Sequence, residues 1–145
     1  MAITSAICNS FKQELLVGTH NFTASSGNTF KIALYTSSAT LNKSTTAYST
    51  SNEISNTSGS AYSAGGATLT SVTPTLDSDT AVCDFADVSF TSATFTANGA
   101  LIYNDTQSDK AVAAIAFGGD KTVTSGTFTI QFPTADASNA IIRLA

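Results

Sequence analysis

The residues that could carry acid–base or nucleophilic chemistry are few and far apart in this chain. A Ser–His catalytic pair needs a general base, and the only histidine, His20, lies in the stretch Gly18-Thr19-His20-Asn21. An exposed or hydrogen-bonded turn residue is the interpretation we favour for it. The stretch 118–122, Gly-Gly-Asp-Lys-Thr, is similar to a phosphate-binding loop only superficially, because its lysine does not follow a glycine and no helix follows it. We expect a hairpin turn there.

Paired carboxylates are the remaining candidates for catalysis. Asp77 with Asp79, and Asp84 with Asp87, have the residue types of a glycoside hydrolase, but the chain has no tryptophan to form a sugar platform. Asp77 and Asp79, or the acidic stretch 104–109, offer oxygen ligands for calcium without the glycine and glutamate spacing of an EF-hand. We therefore expect acidic turns, with no catalytic residue, no cofactor and no metal ion. The sequence predicts a protein that is not an enzyme.

The two cysteines are too few to form a disulfide framework. In a reducing compartment Cys8 and Cys83 are expected to be free thiols that pack as small apolar groups, with a single bridge between them as the alternative.

Composition limits the partners of the chain. Its 145 residues are enough for one domain with its own core, spanning 1–145. Charged residues make up 11%, against roughly 25% in ordinary globular proteins, and 20 Ser and 24 Thr supply the polar surface instead. The net charge of −4 and six scattered basic residues argue against a nucleic-acid partner. No long apolar run and no signal peptide are visible, so we expect no membrane partner and synthesis in a cytoplasm.

The N-terminal segment predicts one short amphipathic helix, over about residues 5–17. Thr4 or Ser5 would cap it, apolar residues recur at positions 7, 11 and 15, and Gly18 would end it. Two interpretations remain open: the helix lies on its own domain, or it docks on a neighbouring subunit.

After Gly18 the apolar pattern changes to the period of two that is typical of β-strands. The strands expected from this pattern cover 29–35, 67–72, 81–85, 88–95, 100–104, 110–117, 127–132 and 140–144. Turn residues lie between them at 98–99, 104–109, 118–120 and 125–126. The run 111–117 is apolar throughout and predicts a strand buried on both faces.

This pattern predicts a mainly β fold, an antiparallel β-sandwich of jelly-roll or Ig-like type with the short N-terminal α-helix. A long tract rich in Ser and Thr, about 36–66, separates the first strand from the rest. It is either a surface loop or a loop that binds a partner.

Four stretches of the sequence carry a resemblance that covers nearly the whole chain. They are 2–16 (AITSAICNSFKQELL), 29–36 (TFKIALYT), 62–69 (YSAGGATL) and 128–133 (FTIQFP). Together they resemble a group of small virion structural proteins from tailed bacteriophages of aquatic bacteria.

The resemblance implies a place in the virus particle and carries no catalytic motif. The implied role is a capsid decoration, or cement, protein that binds the major capsid protein and copies of itself, with a trimer across capsomer junctions as one arrangement. Its localisation would be the virion. A tail, baseplate or fibre component is the alternative. The candidate subunit-contact residues are Ile3, Ile7, Phe11, Leu15, Tyr48 and Tyr62.

A carbohydrate-binding module is a further alternative, because such modules also use β-sandwiches. It would need exposed aromatic rings, and the chain offers only tyrosines for this purpose: Tyr35, Tyr48, Tyr62 and Tyr103.

Overall fold

The computed structural model describes residues 2–54 and 61–145, which form two antiparallel β-sheets and one helix. The elements in chain order are β1 Ala6–Ile7, α1 Asn9–Leu16, β2 Phe30–Tyr35, β3 Ala67–Thr68, β4 Ser71–Asp77, β5 Thr80–Phe85, β6 Val88–Asn104, β7 Lys110–Ile130 and β8 Ile142–Leu144. One sheet has the strand order β1-β7-β6-β2-β3, and the other has the order β4-β5-β8. The predicted fold class, a mainly β sandwich-like protein with one short helix, is confirmed.

The β6–β7 hairpin is the largest element, and it is sharply curved. A straight strand of β7's 21 residues would span roughly 70 Å. Yet Ala113 and Ala114, near its start, line the same cleft as Ile130, at its end. The bend coincides with positive φ angles at Gly118 and Gly119 and with a register shift opposite them in β6. The hairpin therefore folds back on itself, and both of its halves contribute to the core.

A row of aromatic rings joins the two sheets. Phe22 and Phe30 stack with ring centroids 4.3 Å apart, and Phe85 of β5 lies 6.1 Å and 5.7 Å from them. Such ring pairs stabilise a core beyond the apolar area that they bury. One cluster of buried residues thus draws on β2, β5 and the segment after the helix.

The predicted helix boundaries and cap were wrong at the N-terminal end. The helix begins at Asn9, because Ala6 and Ile7 pair with β7 as strand β1. Ser5 does not cap the helix, since its hydroxyl accepts the backbone N–H of Ala116 at 2.8 Å. The predicted end is confirmed: Gly18 has a φ of 77° and follows directly on the last turn.

Three predicted turns were wrong, because they lie inside long strands. The residues 98–99 belong to β6, and 118–120 and 125–126 belong to β7. Glycine, asparagine and positive φ angles mark bulges here as readily as chain reversals. The turn at 104–109 is confirmed as the loop between β6 and β7.

Two predicted strands also needed correction. The strand expected at 67–72 is divided into β3 and the start of β4. The run 111–117 is buried only over its first four residues and is half-buried from Ile115 to Phe117.

The long Ser/Thr-rich tract contains no helix or strand over 36–54 and 61–66, as predicted, and residues 55–60 lie outside the described part. Isolated bridges tie it to the N-terminal segment and to the sheet: Leu41 pairs with Ile3, Ala47 with Lys110 of β7, and Glu53 with Tyr35 of β2. The described tract is thus held against the larger sheet.

Candidate interaction surface

Three of the six predicted subunit-contact residues belong to the core. Ile3, Phe11 and Tyr62 are only 9%, 1% and 1% exposed. The Phe11 ring lies 4.8 Å from the His20 ring and 5.9 Å from the Phe22 ring. These side chains have almost no surface to offer to a second protein. For Phe11, this supports a helix that lies on its own domain.

Tyr48 and Tyr62 meet at the carboxylate of Glu53. The Tyr62 hydroxyl donates to Glu53 Oε1 at 2.5 Å, the Tyr48 hydroxyl donates to Oε2 at 2.7 Å, and the Gly65 N–H donates to Oε1 at 2.7 Å. The Tyr48 ring stacks on Tyr103 with centroids 4.6 Å apart. Burial, reinforced by the hydrogen bonds to Glu53, raises the pKa of the Tyr48 and Tyr62 hydroxyls well above the ordinary value. We assign this cluster to holding the long loop on the sheet.

His20 is buried in a second polar cluster, below the end of the helix. Its Nδ1 lies 3.0 Å from the Asn104 side-chain nitrogen, and its Nε2 lies 3.3 Å from a Glu14 oxygen. Lys110 Nζ lies 3.6 Å from the same Glu14 oxygen. Burial lowers the pKa of His20, with the Glu14 carboxylate acting in the opposite direction. The His20 side chain is fully buried and links Glu14 of α1 to Asn104 at the end of β6. The expectation of an exposed turn was wrong, and that of a hydrogen-bonded residue was right.

Both cysteines are free and buried, as predicted. Burial raises the pKa of Cys8 to about 11 and that of Cys83 to about 12. Neither thiol forms the reactive thiolate at neutral pH.

The remaining two apolar candidates, Ile7 and Leu15, line a groove between α1 and the C-terminal segment. The groove has a volume of about 720 Å³. Its walls are Phe11, Leu15 and Leu16 on the helix side and Ile142 and Leu144 on the β8 side. A second cavity, of about 530 Å³, shares Ile142 and Leu144 with the groove and is also lined by residues of β5. The groove and the cavity are both lined mainly by apolar side chains.

Two of the exposed large apolar side chains, Leu16 and Leu144, line this groove. Within residues 2–54 and 61–145 the exposed large apolar side chains are Leu16, Val17, Val72, Leu76 and Leu144. Leu16 is 89% exposed, Leu76 is 74% exposed and Leu144 is 56% exposed. They lie at the end of α1 and on β4 and β8, the two edge strands of the small sheet. Contiguous exposed apolar groups are typical of protein interaction sites.

Charge is divided between the two edges of the small sheet. The groove beside β8 carries Lys12 and Arg143 and no acidic residue. At the β4 edge, Asp79 follows Leu76 by three positions and is exposed, while the Asp77 carboxylate accepts the Ala137 N–H at 2.6 Å. The two edges therefore have opposite charge.

The sequence pattern predicted the apolar face of the helix but not the exposed apolar residues outside it. Leu16 and Val17 follow the predicted apolar stripe directly and break its period, and this break indicates apolar side chains that do not face the core. Leu76 and Leu144 give no such signal, because their exposure depends on which strands end the small sheet.

Among the described residues, no group of three or more His, Cys, Asp or Glu side chains is placed to hold a metal ion. The one helix in this part of the chain is too short to cross a membrane.

Comparison of the chain with profiles of protein families, with curated proteins and with solved structures found no match.

Proposed function

We propose that this chain is a structural subunit of a tailed-phage virion, a decoration protein that binds the outside of the capsid without catalysing a reaction. Two observations support the proposal. The four stretches that resemble phage virion proteins are spread along the chain from residue 2 to residue 133. An exposed apolar surface lies along the groove between α1 and β8.

The exposed end of the helix is the part that would contact the shell. Leu16 and Val17 are 89% and 73% exposed and contribute little to the core. Burying apolar area against a capsid protein stabilises the contact by roughly 25 cal/mol per Å² before the cost of association. Many copies on one particle would add such contacts together and oppose the internal pressure of packaged DNA.

The abundance of the chain in the particle tests the proposal. Quantitative mass spectrometry of virions from the phage that encodes it would give its ratio to the major capsid protein. A ratio near one to one, or near one to three, supports the decoration role. A ratio far below these values would assign it to the tail, baseplate or fibre instead, and its absence would refute a virion role.

Binding to empty capsids tests the contact itself. The double variant Leu16→Asp, Val17→Asp should fold normally and lose capsid binding, because both side chains are exposed. A matched control, Val72→Asp, changes an exposed apolar residue on β4 and should keep it. Equal binding by the two variants would contradict the assignment of the helix end.

The carbohydrate-binding alternative lacks the exposed aromatic rings that it would need. Tyr35, Tyr62 and Tyr103 are at most 2% exposed, and Tyr48 is half-buried against Tyr103. Sugar platforms require exposed rings, and these tyrosines are used in internal packing.

A further inference from the structure

The small sheet ends in two open edges, and these edges match each other. Its order is β4-β5-β8, so β4 and β8 each have one side without a strand partner among the described residues. An open edge presents backbone N–H and C=O groups that a further strand can pair with. We infer that β4 of one copy of this chain pairs with β8 of a second copy, in a head-to-tail contact that continues the small sheet from molecule to molecule.

The apolar side chains of the two edges lie in one row. Leu76 is opposite Ala81 in the β4–β5 pair, and Ala81 is opposite Leu144 in the β5–β8 pair. Directly opposed residues point to the same face of a sheet. Leu76 and Leu144 are thus on one face, at opposite edges, and both are more than half exposed. Adding β4 of the next copy beside β8 would place its Leu76 next to Leu144 and beside the groove.

The lengths of the two edges also agree. Pro74 has no N–H to donate, and Thr73 accepts a hydrogen bond from the Ala24 N–H, so the first part of β4 is poorly suited to pairing. Three residues remain, Thr75 to Asp77. Strand β8 is also three residues long, Ile142–Leu144. The contact would be a short one, with affinity coming mainly from the leucines.

Charge selects the head-to-tail arrangement over a symmetric one. Pairing β8 with β8 would bring together Lys12 and Arg143 of both copies, and pairing β4 with β4 would bring together two copies of the exposed Asp79. Pairing β4 with β8 sets the acidic edge against the basic groove. Complementary charge gives specificity and suppresses the wrong arrangement. A head-to-tail contact does not stop at two copies, and it closes into a ring or grows as a chain.

Cross-linking of the isolated protein tests the arrangement directly. Two single variants are prepared, Leu76→Cys and Leu144→Cys, and each is oxidised alone and in a one-to-one mixture. The expected result is a disulfide-linked dimer in the mixture and almost none with either variant alone. The wild type is the control for Cys8 and Cys83, which are buried and should not react. Equal cross-linking of one variant alone would overturn the head-to-tail arrangement.

Sedimentation velocity tests whether the leucines drive the association. The wild type should form species larger than a dimer as its concentration rises. Leu76→Ser and Leu144→Ser should each weaken this association about tenfold or more. Val17→Ser, which changes an exposed residue outside both edges, should not. Circular dichroism confirms that each variant is folded.

A wild type that stays monomeric at every concentration would overturn the inference. This result would leave the virion role open, since these measurements use the chain without any particle. Conversely, absence of the chain from virions would refute the proposed function and leave the self-association intact.

Discussion

Removal of the Glu53 side chain should release the long loop from the larger sheet. Its carboxylate accepts three hydrogen bonds, from the hydroxyls of Tyr48 and Tyr62 and from the Gly65 N–H. Hydrogen bonds to a charged group contribute about 1.5–3 kcal/mol each, so simple addition gives about 4.5–9 kcal/mol. Two effects reduce this sum.

The first effect is that Tyr48 is only half-buried, so its hydroxyl can turn to water. The second is that the Tyr62 hydroxyl keeps the backbone N–H of Leu34, which it accepts at 2.9 Å. We therefore expect Glu53→Ala to lower the free energy of unfolding by about 3–5 kcal/mol. Glu53→Gln can still accept from Tyr62 and Gly65 and can donate to Tyr48, so it should cost only about 1–2 kcal/mol.

Urea unfolding followed by far-UV circular dichroism measures these differences. Near-UV dichroism reports on the stacked pair Tyr48 and Tyr103, and this signal should fall in Glu53→Ala. Thr46→Ala is the control, because Thr46 is exposed in the same loop and should change stability by less than about 0.5 kcal/mol. If Glu53→Ala cost no more than Thr46→Ala, the carboxylate would not hold the loop.

Three further predictions concern titration, backbone space and thiol reactivity. Folding lowers the pKa of His20 below its ordinary 6.5, so the folded protein binds fewer protons there than the unfolded chain does. The contribution of His20 to stability should therefore be complete above pH 6.5 and fall as the pH drops below that value. Urea midpoints at neutral and mildly acidic pH measure this fall, and an equal fall in His20→Gln would contradict the prediction. Gly66→Ala should destabilise the fold by more than about 3 kcal/mol, because at a φ of +81° the new Cβ would lie 1.8 Å from a backbone oxygen of β2. Gly118 has a similar φ of +78° but open space around it, so Gly118→Ala should cost only about 1 kcal/mol. Equal urea midpoints for the two variants would refute the steric argument. Cys8 and Cys83 should resist a thiol reagent in the native protein at neutral pH and react in urea, and rapid labelling of the folded chain would show that they are accessible.

The sequence pattern was most informative where local periodicity determines structure. The alternation of apolar residues at 29–35 predicted β2, which runs from Phe30 to Tyr35, and Gly18 predicted the end of the helix. The lack of regular structure in the described parts of the long loop followed from its composition. These features depend on residues that are close together in the chain, so the local sequence is enough to predict them.

Long-range pairing decided the points that the sequence predicted wrongly. Ile7 has the spacing of a helical residue but pairs with Ala113, more than a hundred positions away, and this pairing moves the start of the helix. Gly118 and Gly119 have the chemistry of a turn, but pairing on both sides of them makes one bent strand. No local window of sequence contains such partners.

By itself the sequence determined the class of the fold, the end of the helix, the burial of the free cysteines and the scarcity of residues able to do chemistry. The tertiary structure alone decided which apolar side chains remain exposed to solvent. Phe11 and Leu16 are both apolar residues of one helix, yet Phe11 is 1% exposed and Leu16 is 89% exposed. Likewise Leu76 and Leu144, far apart in the chain, form opposite ends of one row because both pair through Ala81. Exposure is a property of the packed whole, since it depends on which surfaces the rest of the chain has already covered.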